Sequence, residues 1–122
     1  MKSMRALSHV LTAFLALFAL LGGFACVTHA APIEATFLHL GLPRSLATLV
    51  GAWKLLGAVA LLIPGAPRLR EQALIGFLYL YSGAVVIHLA AGDGLAGALA
   101  PITLLLLAVA RLALEVSLRR TP

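Results

Sequence analysis

Apolar runs over about residues 6–27, 46–63, 72–91 and 98–118 divide this chain. Each approaches the roughly 20 residues that an α-helix needs to span hydrocarbon. Between the first two lies the longest polar stretch, residues 28–45. Within it Pro32 followed by Glu34 suits the start of a short helix, and Ile33, Phe37, Leu38 and Leu40 give that helix an apolar side. Such a helix belongs along the membrane interface. Leu42-Pro43 halts it, and Ser45 is placed to cap the next span. Pro64-Gly65-Ala66-Pro67 breaks the chain again, Arg68-Leu69-Arg70 forms a basic turn, and Gly92-Asp93-Gly94 makes a tight one. The pattern predicts an all-α integral membrane four-helix bundle, one domain over residues 1–122, with a short interfacial helix between the first and second spans.

Composition agrees with this reading. Of 122 residues, 62% are hydrophobic and 11% charged, and the mean hydropathy is +1.09, well outside the range of soluble domains. The first run is longer than the apolar core of a cleaved leader, so it reads as a span. A net charge of +5 raises the question of nucleic acid. The basic residues form no patch with interleaved aromatics, and no nucleic-acid partner is expected. They act instead as topology signals. With the N-terminus inside, Lys2, Arg5, Arg68, Arg70, Arg119 and Arg120 fall on one side and only Arg44 on the other. This predicts an N-in, C-in multi-pass protein of a bacterial inner membrane, with the lipid bilayer as its first partner. The single cysteine, Cys26, excludes an internal disulfide and a CxxC pair.

Lys54 stands out in the second span. An ammonium in hydrocarbon costs at least about 2.5–3.5 kcal/mol, so it is expected to face protein or water. Ala47, Gly51, Lys54 and Ala58 share one narrow helical face, opposite Leu49, Leu56, Val59 and Ile63. A stripe of small residues lets a second helix approach closely. In the fourth span Arg111 and Glu115 lie four residues apart and can pair. Two arrangements follow: an ion pair near the surface with Arg111 reaching toward it, or a polar cavity lined by Lys54, Arg111 and Glu115. Two cations without an intervening anion would suit an anionic ligand or a quinone head group. The third span adds Tyr79 and Tyr81, on separate faces, as candidates for this intramembrane polar site. On the outer side His29, Glu34, His39, His88 and Asp93 form a candidate polar cluster, whose chemistry would suit zinc or copper, or a haem held by His29 and His88. No spacing matches a metal motif, so no metal is assigned. No catalytic motif occurs, and an enzyme is the less favoured class.

The stretches Phe37-Leu-His-Leu-Gly-Leu-Pro43, Gly51-Ala-Trp-Lys-Leu-Leu-Gly57, Leu62-Ile-Pro-Gly65 and Ser82-Gly-Ala-Val-Val-Ile-His88-Leu-Ala-Ala-Gly-Asp93 resemble the DoxX-like family of small bacterial membrane proteins. The resemblance covers about residues 10–115. Gly41, Pro43, Lys54, Gly57, Gly65, His88 and Asp93 match its pattern, whereas Gly22-Gly23-Phe24-Ala25-Cys26 lacks the charged or polar residue that members often carry in the first helix. The resemblance implies a four-helix bundle and an association with quinone-linked sulfur oxidation. Three functions follow as expectations. They are an accessory subunit of a redox or stress-related membrane complex, an oligomeric carrier of a quinone or other apolar ligand, and a haem-bearing oxidoreductase subunit.

Overall fold

The computed structural model describes residues 2–120. Five helices follow one another: α1 (Lys2–Val27), α2 (Ala31–Leu40), α3 (Arg44–Leu62), α4 (Pro67–Ala90) and α5 (Gly94–Arg120). All but α2 are long and apolar enough to cross a membrane. The four form a ring in which α1 packs most extensively on α3 and α4 on α5, with looser α3–α4 and α1–α5 seams. The all-α membrane bundle expected from the apolar runs is the fold observed.

Large and small side chains are sorted as a membrane requires. Leu17, Leu21 and Phe24 of α1, Leu49, Leu56 and Val59 of α3, and Leu99 and Leu106 of α5 are exposed. Ala16, Ala19, Ala47, Ala58, Ala98 and Ala108 are buried. Lipid tails solvate leucine as well as protein does, so helix association rests on close packing of small residues. The closest approach is between α1 and α3. A Cβ on Gly51 would lie 2.8 Å from the Gly23 carbonyl oxygen, and one on Gly23 would lie 3.0 Å from the Gly51 carbonyl oxygen. Backbone meets backbone there, with Cys26 buried beside it. On the other side of α3, Gly57 receives the Phe77 ring of α4; a Cβ there would lie 2.6 Å from Cζ. Phe77 stacks in turn on Tyr81, with ring centroids 5.7 Å apart. Leu15, Leu61 and Leu74 complete the core around them.

The helix ends differ from expectation in instructive ways. α4 begins at Pro67, so the residues expected to form a basic turn are helical. Proline at the first turn has no amide hydrogen to lose and a φ already suited to helix. α5 starts at Gly94, one turn earlier than expected, and accommodates Pro101 in its second turn. Ser45 does not cap α3. The helix starts two residues sooner with Pro43 at the N-cap, and no side chain caps it. α2 closes on Gly41, whose φ of 71° is left-handed. The Gly41 amide donates to the Leu38 carbonyl and the Leu42 amide to the Phe37 carbonyl, a glycine-terminated helix end. Leu38 does not share the inner side of α2; it is largely exposed.

Candidate functional site

Two polar clusters occupy opposite ends of the bundle, with a cavity between them. At the end where α1 starts and α5 finishes, Glu115 is buried and surrounded by cations. Arg70 donates to both of its oxygens, Nε at 3.0 Å and Nη2 at 3.1 Å. Arg111 Nη2 lies 2.8 Å away. Arg119 approaches at 3.6 Å and binds Glu71 at 2.6 Å. Arg111 is itself buried and donates from Nε to Thr12 Oγ1 at 2.8 Å, joining α5 to α1. A buried ion pair persists only when its remaining hydrogen-bonding capacity is largely filled. Here it almost is, with only Arg111 Nη1 buried and unpartnered. Arg111 and Glu115 therefore form an ion pair near one end, and Lys54 is not a member of it.

The outer candidates separate into three groups. His39 of α2 and His88 of α4 converge on Asp93, in the loop before α5. His39 Nε2 lies 2.5 Å from Oδ1 and His88 Nδ1 2.7 Å from Oδ2. An ionised carboxylate only accepts, so each of those ring nitrogens carries the proton, and Nε2 of His88 is the nitrogen left for another contact. These two hydrogen bonds hold the Asp93 carboxyl below the usual carboxylate range. Glu34 pairs instead with Arg44 at 2.7 Å. His29, with a left-handed φ of 53°, turns its Nε2 to Thr48 Oγ1 at 2.8 Å. It lines a small cleft with Glu34 and Arg44, whereas His88 lines the neighbouring cavity, Phe37 and Leu42 being common to both. Among the described residues no group of three or more His, Cys, Asp or Glu is arranged for a metal ion.

Between these clusters lies a half-open cavity of about 660 Å³, bordered by α2, α3 and α4 and by Cys26 of α1. Its volume falls in the range of roughly 300–1,000 Å³ typical of small-molecule sites. Ile33, Phe37 and Leu40 of α2 form its roof, which is where the apolar side of that helix goes. Lys54, Tyr81 and His88 bring polar groups to otherwise apolar walls. Gly76 and Gly83 leave open space where a side chain would stand. Trp53 and Tyr79 line it too and are 52% and 76% exposed, marking its rim. Of the two tyrosines, then, Tyr81 is interior and Tyr79 lies at the edge. The cavity exists because α3 leans on α1 at the glycine crossing while Phe77 stands between α3 and α4.

A model of the DoxX-like family matches residues 10–111, so the chain belongs to that family. It is a multi-pass membrane protein. No curated protein and no solved structure matches it. The positions that carried the resemblance have identifiable places here. Gly41 ends α2 and Pro43 starts α3. Gly57 makes room for Phe77, and Gly65 turns the chain at a φ of 72°. Lys54 and His88 line the cavity, and Asp93 ties its roof to its wall.

The His39–Asp93 link joins α2 to the loop after α4, and α2 has no buried residue of its own. Asp93→Asn should loosen α2, raising amide hydrogen exchange across residues 33–40 several-fold at pH 7. The carboxyl titrates below its ordinary value of about 3.9. Its contribution is therefore complete at neutral pH and is lost only as pH falls through the lowered value. The wild-type protein should match the variant only in that acidic window. Equal exchange in both at pH 7 would show that α2 is held by other contacts.

Proposed function

We propose that this member of the DoxX-like family binds one lipophilic small molecule with a polar head in the cavity between α2, α3 and α4. One observation carries the reading: a largely apolar cavity of about 660 Å³ has Lys54, Tyr81 and His88 among its lining residues. That combination is what small-molecule sites share. Glycine inside a helix costs about 0.5–1 kcal/mol relative to alanine. Gly76 and Gly83 both line the cavity, and neither has a neighbour that an added Cβ would meet. Crowding of protein against protein does not account for them; space for a ligand does. Binding of this kind suits a carrier, and the accessory role in a redox or stress-related complex becomes the alternative.

The same reading places the chain in the bacterial cytoplasmic membrane with both termini inside. Lys2, Arg5, Arg68, Arg119 and Arg120 are exposed at one end of the bundle, against Arg44 at the other. A fluorescent reporter that matures only in the cytoplasm should light when fused to the C-terminus; a dark fusion that is stably inserted would reverse the orientation.

The cavity is tested by what it retains. Protein purified from membranes in mild detergent should carry about one lipophilic molecule per chain by mass spectrometry. Gly83→Leu fills the cavity where space is open and should be as stable as wild type while losing that molecule. Equal retention in both proteins, or none in either, would refute the site. A stoichiometric protein partner in place of a small molecule would favour the accessory role.

A further inference from the structure

Lys54 is the one lysine or arginine that lines the cavity. Arg70, Arg111 and Arg119 share the carboxylates of Glu115 and Glu71, and Arg44 pairs with Glu34. Lys2, Arg5, Arg68 and Arg120 are exposed at the helix ends, where water and lipid head groups reach them. Lys54 is half-buried near the middle of α3, its Nζ beside Gly22 of α1. Among the described residues it has no carboxylate partner and no hydrogen bond. Lys54 is also among the residues that line the cavity, and no aspartate or glutamate is. Asp93, bonded to the lining residue His88, has both of its oxygens engaged by histidines, and Glu34 pairs with Arg44. A lone ammonium in low-dielectric surroundings is costly, and the cost is recovered when an opposite charge arrives with it.

We infer that the ligand of this cavity is an anionic amphiphile: a single-chain lipophilic carboxylate whose head group pairs with Lys54. The inference rests on the cavity reading above and adds the charge of the occupant. One ammonium, with no arginine or second lysine in the lining, matches one negative charge, which favours a carboxylate over a doubly charged phosphate monoester. The Tyr81 hydroxyl and the free His88 nitrogen offer neutral hydrogen bonds along the same walls. From Lys54 to Leu46 the lining of α3 rises about 12 Å, and Leu46, Val50, Phe37 and Leu40 supply an apolar path for a short chain. A neutral quinone would occupy the same walls but would leave the ammonium uncompensated.

The test compares two probes of equal chain length, decanoate and decanol, titrated calorimetrically into the full chain in neutral detergent. Wild type should bind decanoate at least tenfold more tightly than decanol. Lys54→Gln should remove that preference and leave decanol unchanged, and Lys54→Arg, which keeps the charge, should preserve it. Decanol binding as tightly as decanoate to wild type would overturn the anionic head group while leaving the cavity reading intact. Binding of neither probe would overturn both. If phosphatidylglycerol displaces decanoate and shows the same dependence on Lys54, the occupant is a bilayer phospholipid, and the single-chain assignment fails.

Discussion

The backbone contact between Gly23 of α1 and Gly51 of α3 sets the geometry on which the rest of the molecule depends. Each glycine stands where a Cβ would come within about 3 Å of the other's carbonyl oxygen, closer than packed atoms tolerate. In lipid, where no hydrophobic force drives helices together, such proximity is what makes an interface. It draws α3 toward α1. Phe77, seated against Gly57, then acts as a spacer that keeps α4 from closing on α3 above it. The cavity is the consequence of one tight seam beside one propped seam.

Charge is distributed in keeping with that geometry. At the end where α5 finishes, three arginines and two glutamates lock α4 to α5, and Thr12 ties α1 to the same network. Each of these arginines has a carboxylate oxygen within reach. At the opposite end Asp93 gathers two histidines and holds α2 over the cavity. Lys54 lies between the two networks and belongs to neither. Each arginine of the first network has a carboxylate within reach, whereas Lys54 lines the cavity without one.

Much of the fold was legible in the residues. The four apolar runs, the small face of α3 at Ala47, Gly51 and Ala58, and the outward Leu49, Leu56 and Val59 all follow from periodicity, because hydrocarbon permits few alternatives to a packed helix. The short helix between the first two spans followed from Pro32 and Glu34, with Leu42-Pro43 as its stop. The site was less legible. Arg70 was read as part of a turn, since the weight of Pro64-Gly65-Ala66-Pro67 as a breaker obscured Pro67 as a helix start; a helix beginning there would have put Arg70 one turn in. Thr12 gave no signal within an apolar run. The outer cluster was read as a single group because chain position does not disclose that His29 adopts a left-handed φ and turns to Thr48. The cavity itself has no sequence signature, being a gap between helices whose separation depends on Phe77 meeting Gly57.

Substitution of Gly51 tests the seam most directly, because two physical effects predict opposite signs. Helix propensity makes Gly51→Ala stabilising by about 0.5–1 kcal/mol. The crowding at this crossing makes it destabilising by about 1–3 kcal/mol, with Gly51→Val worse still. Unfolding of the two variants in mixed micelles, followed by circular dichroism against wild type, should show a stepwise loss of stability from glycine to alanine to valine. Variants as stable as wild type, or more so, would mean that α1 and α3 are not held by a backbone crossing.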